Sequence, residues 1–514
     1  LAIYFYRLTF EIFYETERKL LMKPSTENKN DVKFLGDMPA DQFRKFGYEL
    51  IDWIANYFEN VEDYPVLPHI KPGDIRKQLP LSPPDEGETM EKILKDIDKI
   101  IVPGLTHWNH PNFMAYFNSS SSGPGILAEL LAAVFNSNGM LWRTNPSSAE
   151  LEQHTLQWLR QMLGMPEDFW GIMYDTASVA SMHAIAAARE QAGINVREKG
   201  LAGRNDLPKL RLYASEQAHS SIDKSAITLG LGLESLKKVP TDDEFRMLPD
   251  ELDKTIKEDK KNGLLPFCVI ATVGTTSTTS IDPVSNIADI CEKENLWLHV
   301  DGAHGGSAAI IPEMQWIFKG VERADSFLIN PHKWLFHPVD ITAFYTRKPE
   351  ILKRAFSLVA DYLKTPEENI VDNYMNYGIQ LGRRFRALKL WFTIRYFGVE
   401  GLRDRLRYHL FLGKEFTTWL DAYPAFERMA PVPMSTICFR LHPKNINDEN
   451  KLEELNLGFF KEIDTNSEIL ISHTRLNGKY VLRVNMSGLR MELRHIKKAW
   501  EIIKTKAEEI LTKL

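Results

Sequence analysis

Cysteine is scarce in this chain. Cys268, Cys291 and Cys438 are the only three, far apart and in apolar stretches. That rules out a disulfide framework and a CxxC zinc or redox site, and buried free thiols in a reducing compartment are expected. Long apolar runs are missing as well. The opening LAIYFYRLTFEIFY is interrupted by Arg7 and Glu11, so it is too short and too charged to span a bilayer. It also lacks the basic n-region and small-residue cleavage site of a signal peptide. There is no basic excess: the formal net charge is -6, which removes the electrostatic footprint of a nucleic-acid binder. No internal repeat or low-complexity tract is present. The expectation is a cytoplasmic protein with neither membrane nor nucleic-acid partners. Residues 1–36 are read as a leader, disordered or not native, with Met22 as the candidate start.

What is present points to a large α/β protein. A length of 514 residues suggests two or three domains. Residues 39–60 place Phe43, Phe46, Leu50, Ile51, Ile54 and Phe58 on one helical stripe, as an amphipathic helix requires. A connector with Pro65, Pro68, Pro72, Pro80, Pro83 and Pro84 follows. Its prolines predict an extended path without regular helix. The segment 37–122 therefore has little core of its own and is expected to pack against a second subunit. From about 125 to 345 helical stretches alternate with the apolar runs LRLYAS (210–215), FCVIATVG (267–274), LWLHVD (296–301) and DSFLIN (325–330). Strands separated by helices predict a mainly parallel sheet with helices on both faces, whose ligands bind beyond the carboxyl ends of the strands. A large domain is expected over 123–390. A smaller α+β domain is expected over 391–514, with helix at 381–398 and 492–513 and strands at 435–442 and 480–487.

Unusual residues collect at those strand ends. Lys333, in NPHKW, follows a strand where a partly desolvated amine can attack an aldehyde. Asp301 ends LWLHVD, where a carboxylate can face a cationic ring nitrogen. Thr176, Ala177 and Ser178 precede the helical run AIAAAREQ, and amides at a helix start, with hydroxyls, seat a phosphate. His219, in AHSS, is placed to lie flat on an aromatic cofactor, and Thr276 follows the strand FCVIATVG. Each motif alone has an ordinary reading as a solvated lysine, a turn aspartate, an N-cap or a structural histidine. Together they supply the amine, acid, phosphate seat and ring stack that a pyridoxal 5′-phosphate (PLP) site requires.

The motifs HVDGAHGGS, ADSFLINPHKW, LGRRFRALKLWF, THWNHP (106–111) and AYF (115–117) resemble the group II PLP-dependent amino acid decarboxylases, and within them the aromatic-L-amino-acid decarboxylases. The resemblance runs from about residue 37 to 510. It implies a type-I, aspartate aminotransferase-like fold with a mainly parallel seven-stranded sheet, an obligate homodimer and an amino acid substrate. By the resemblance Lys333 forms a Schiff base with PLP, Asp301 pairs with the ring nitrogen and His219 stacks on the ring. Ala177, Ser178, Asn330 and His332 serve the phosphate end, Thr276 lies near the ring, and Ala303 packs on its other face. Trp108, Tyr116, Phe117 and Gly382 correspond to substrate-pocket residues, and Arg483 to an arginine that meets the substrate carboxylate. Tyr362 falls where the family has its catalytic tyrosine, in a mobile loop at about 357–372.

The resemblance implies decarboxylation of an aromatic L-amino acid to its amine and CO2. Departures at Asn118, Asn138, Met140, His304 and Val339 surround the expected side-chain pocket and leave the preferred amino acid open. Three rival readings remain at this point. Two share the cofactor: an oxygen-consuming aldehyde synthase, and a glutamate- or histidine-type decarboxylase. The third is a metal-dependent hydrolase using His299, Asp301 and His304 as an H-x-D-x-x-H set, which leaves Lys333 unexplained.

Overall fold

A computed structural model of the chain describes residues 36–358, 363, 365–367, 370–465 and 467–513. The expected leader up to residue 35 lies outside them. The chain divides into compact units between Glu59 and Asn60. In the first, the helix Ala40–Glu59 stacks Trp53 on Tyr57 with ring centres 5.6 Å apart. Phe43 and Tyr48 of this helix are exposed.

The second unit is built on a seven-stranded sheet. In chain order its strands are β1 (Trp170–Tyr174), β2 (Leu210–Ser215), β3 (Leu236–Val239), β4 (Leu265–Thr272), β5 (Trp297–Asp301), β6 (Ser326–Ile329) and β7 (Thr342–Thr346), arranged β1-β7-β6-β5-β4-β2-β3. The pairs from β6 through β3 are parallel, and β7 runs antiparallel to both β6 and β1. Two reversals restore direction, so β1 points the same way as β6. Every strand except β7 therefore ends on one edge of the sheet.

Side-chain alternation explains why both faces are covered. Val269, Ala271, Leu298 and Val300 enter one core, whereas Cys268, Ile270, Trp297 and Leu328 enter another on the opposite face. Such strands read as continuous apolar runs, and β4 is buried at every position after its first. The three thiols are buried and unpaired. A second sheet, wholly antiparallel, follows with β8 (Phe426–Arg428), β9 (Thr436–Leu441), β10 (Ser472–Leu476) and β11 (Lys479–Asn485) in the order β10-β11-β9-β8. Its core joins Phe439 and Leu482 to Phe459 and Ile503 of the helices Glu449–Asp464 and Leu493–Leu511. No helix of the described residues is long and apolar enough to cross a membrane.

Two expectations need correction. The proline-rich connector is not wholly extended, because Asp74–Gln78 forms a short helix between Pro72 and Pro80. Asp74 accepts the backbone N–H of Lys71 at 2.9 Å and so stabilises its start. The helix expected at 381–398 begins only at Ala387 and continues to Ala422, across the expected domain boundary, with a kink at Gly398 (φ 67°, ψ 170°). Residues before Ala387 are diverted by other bonds: the Arg383 N–H donates to Asn138 Oδ1 (3.0 Å), and the Gly139 N–H donates to the Arg383 carbonyl (3.0 Å).

Candidate active site

The common edge of the large sheet opens into a cavity of about 260 Å³. Its wall is made by the segments that follow five strands. Thr176, Ala177 and Ser178 follow β1, His219 follows β2, and Thr276 follows β4. Asp301 ends β5, with Ala303 two residues on, and Asn330, His332 and Lys333 follow β6. Phe117 closes one side. Two of these segments touch backbone to backbone. Gly274 has φ +89°, and a Cβ added there would lie 2.8 Å from the Cα of Gly305, so the approach of the β4 and β5 loops requires glycine.

Lys333 sits in the single turn Pro331–Trp334, its N–H bonded to the Asn330 carbonyl at 2.9 Å. Lys333 lines the cavity, and its Nζ lies 5.3 Å from the centre of the Phe117 ring. Desolvation lowers its pKa, the Asp301 carboxylate opposes that shift, and Arg483 adds to it. The amine is thus neutral over a wider pH range than an exposed lysine, as a nucleophile needs. Asp301 is buried and accepts the Ala303 N–H at 3.0 Å. His219 Nδ1 accepts the Ser221 N–H at 3.1 Å, which puts the ring proton on Nε2. Desolvation by the cavity wall lowers the His219 pKa, with Asp301 acting against it.

Other residues of the wall fit phosphate chemistry. Thr176 caps the helix Ala177–Gln191 by accepting the Val179 N–H at 3.4 Å. The amides of Ala177 and Ser178, first in that helix, have no intrahelical acceptor and suit a dianion. Asn330 is anchored by the Thr342 hydroxyl, which donates to its Oδ1 at 2.6 Å. His332 Nδ1 lies 2.8 Å from the Ile341 carbonyl, and burial pushes its pKa down to about 4. Amine, acid and anion seat thus share one small cavity, which fits PLP.

Other expected residues lie off this wall. Trp108 and Tyr116 are exposed and form their own aromatic group with Phe113, ring centres 4.4 Å apart for Trp108–Phe113 and 6.0 Å for Trp108–Tyr116. Gly382 is exposed beside Asn138 and is not among the residues lining the cavity. Arg483, on β11, is buried, and burial pushes its pKa down to about 10. It donates to the carbonyls of Ser277 (3.0 Å) and Tyr116 (2.8 Å), while one terminal nitrogen has no partner among the described residues. Tyr362 lies outside the described residues. His299, Asp301 and His304 do not converge as a metal-ligand set: His299 bonds Ser326 at 2.9 Å, and His304 is stacked between Phe117 and Trp334. Ser221, Thr272, Gly274 and His304 also line the cavity. Sequence reading missed the first three as wall residues; only their positions next to strand ends could have signalled them.

The chain matches the pyridoxal-dependent decarboxylase conserved domain over residues 72–442. It is 38% identical over 486 residues to the aromatic-L-amino-acid decarboxylase of Sus scrofa, spanning 92% of this chain and 98% of that one. It is 37% identical over 491 residues to the phenylacetaldehyde synthase of Arabidopsis thaliana, spanning 94% and 99%. Its fold is similar to a solved structure of Oryza sativa TDC with PLP and tryptamine, with a TM-score of 0.89, 32% identity and coverage of 93% of this chain and 100% of that one.

Proposed function

This chain belongs to the pyridoxal-dependent decarboxylase family, and on that footing we propose that it decarboxylates an aromatic L-amino acid, with Lys333 carrying the cofactor. The observation that carries the site reading is the convergence of Lys333, Asp301 and the amides of Ala177 and Ser178 on one cavity of about 260 Å³. Bound there, PLP supplies an electron sink for the pair left at the substrate Cα when CO2 departs. Lys333, whose pKa desolvation lowers, would hold the cofactor through its amine, the group that must also give way to substrate. Asp301 would keep a proton on the ring nitrogen. Neutral His219 would cover one ring face and Ala303 the other. The free nitrogen of Arg483 meets the substrate carboxylate, and Tyr362 returns a proton to Cα.

Likeness to both an aromatic decarboxylase and a phenylacetaldehyde synthase supports a second outcome of the same site. Protonation at Cα yields the amine. Reaction with O2 and water instead yields the aldehyde, ammonia and hydrogen peroxide beside CO2. The test offers tyrosine, tryptophan, phenylalanine, dihydroxyphenylalanine, glutamate and histidine under air and measures CO2, amine and peroxide together. The expected result is one amine per CO2 with the aromatic substrates. Peroxide matching CO2 would favour the synthase, and turnover of glutamate or histidine alone would overturn the aromatic assignment.

The second part of the proposal is a homodimer. The helix Gly123–Phe135 exposes Leu127, Leu130, Leu131, Val134 and Phe135, a run of apolar surface that a monomer rarely leaves bare. A second copy, whose obligate interfaces are large and apolar, is the occupant proposed. Sedimentation should give twice the 59.1 kDa of one chain; a fully active monomer would remove this part of the reading. The buried free thiols support a reducing compartment such as the cytoplasm.

A further inference from the structure

His304 is an unusual wall residue. It is buried, and neither ring nitrogen has a hydrogen-bond partner among the described residues. An imidazole without hydrogen bonds is held by its faces alone. One face meets Phe117, with ring centres 3.7 Å apart and planes within 10°, and the other meets Trp334 at 4.7 Å and 7°. Beside Trp334 the ring of His409 lies nearly parallel, with centres 6.5 Å apart and planes within 10°. The Trp334 indole N–H donates to His409 Nδ1 at 2.9 Å, and His409 Nε2 lies 3.1 Å from the Gly488 carbonyl. The column thus joins Phe117, the ring that Lys333 Nζ overlies, to Trp334, the residue next to Lys333 in the chain.

We propose that His304 is a positioning residue: its flat ring locks Phe117 against Trp334 and thereby fixes the wall that Lys333 works against. This role rests on the reading of Lys333 as the cofactor lysine. Tyr116, immediately before Phe117, adopts φ 51°, a left-handed conformation that a non-glycine residue holds only when its surroundings impose it. Its carbonyl is held by Arg483, whose guanidinium lies 4.8 Å from the centre of the Phe117 ring. Phe117 is therefore pinned through its backbone by Arg483 and through its face by His304. Removing the face leaves the ring free to turn over the cavity.

Two variants separate this role from general packing. His304→Leu keeps the volume and loses the flat face, whereas His304→Phe keeps the face and loses the nitrogens. In His304→Leu, kcat should fall by about 10- to 100-fold, since misplacement by about 1 Å can cost 10²-fold. The near-ultraviolet circular dichroism of the cofactor-free protein should change with it while the far-ultraviolet spectrum stays the same. His304→Phe should recover both to within a few-fold of wild type. If the leucine variant unfolds, His304→Met, also non-planar, takes its place. Wild-type kcat and spectrum in the leucine or methionine variant would overturn the proposal, and so would a phenylalanine variant as impaired as the leucine one. An active Lys333→Ala protein would instead overturn the underlying site reading.

Discussion

Lys333→Ala should lose the visible absorption of lysine-bound cofactor and fall in turnover by at least the 10²–10⁴-fold that one positioned acid–base group is typically worth. The amine has no substitute in the cavity. The other basic nitrogens on its wall belong to His219, His304 and His332, and imidazoles form no comparable lasting bond with an aldehyde. Lys333→Arg should not rescue the loss, because a guanidinium stays protonated and cannot become a nucleophile near neutral pH. Cofactor should still be retained, more weakly, since the amides of Ala177 and Ser178 and the Asp301 carboxylate remain. Equilibrium dialysis of PLP beside an absorption spectrum separates the two contributions. A Lys333→Ala protein that kept its visible band and turned over substrate would end the assignment of Lys333.

Acid should destabilise the fold steeply from pH about 6.5 downward. Burial pushes the imidazoles of His110, His299, His332 and His409 down to about 4 and those of His183 and His337 to about 3. Above about pH 6.5 these groups are neutral in the folded and unfolded chain alike, and they contribute no slope. Below it the unfolded chain takes up protons that the folded interior refuses, so stability is lost as pH falls toward the depressed values. A pKa that differs by one between the folded and unfolded chain is worth about 1.4 kcal/mol. Six groups each displaced by that much would cost on the order of 8 kcal/mol, comparable with the whole stability of a typical domain, about 5–15 kcal/mol. Asp282 runs the other way. Its buried carboxyl is pushed up to about 6, so it gains stability as pH falls through that value, but it is one group against six. Glu62, held down at about 2 by Arg494, adds to the loss only below about pH 4.5. Thermal unfolding from pH 8 to 4.5 should show a flat Tm above about pH 7 and a marked fall beneath pH 6. A Tm unchanged down to pH 4.5 would mean that these rings take up protons within the fold.

Local physics made the framework of the cavity legible in the sequence. An apolar run that ends in a small or charged residue marks where a strand leaves the sheet, and in a mainly parallel sheet those ends share one edge. LRLYAS, LWLHVD and DSFLIN therefore carried His219, Asp301 and Lys333 to a common edge, and the structure brings them to one wall. The resemblance to a known family added the cofactor and the class of reaction. Helix limits were less legible where tertiary bonds compete with propensity: LGRRFRALKLWF has the pattern of a helix throughout, yet hydrogen bonds between Arg383 and the Asn138–Gly139 turn delay its start to Ala387.

Only the tertiary structure decided how distant segments meet. His304 and Phe117 are 187 positions apart, and no period or motif foretells a face-to-face stack between them. The same holds for Arg483, whose partners Tyr116 and Ser277 come from two other parts of the chain. Trp108, Tyr116 and Gly382 carry the residue types of a pocket, and they are not among the residues that line the cavity. Alternation and strand ends are properties of a few neighbouring residues and can be read from them. A stack, a carbonyl caught by a buried guanidinium and a shared cavity depend on close packing across long loops, and that packing exists only once the sheet has brought the strand ends together.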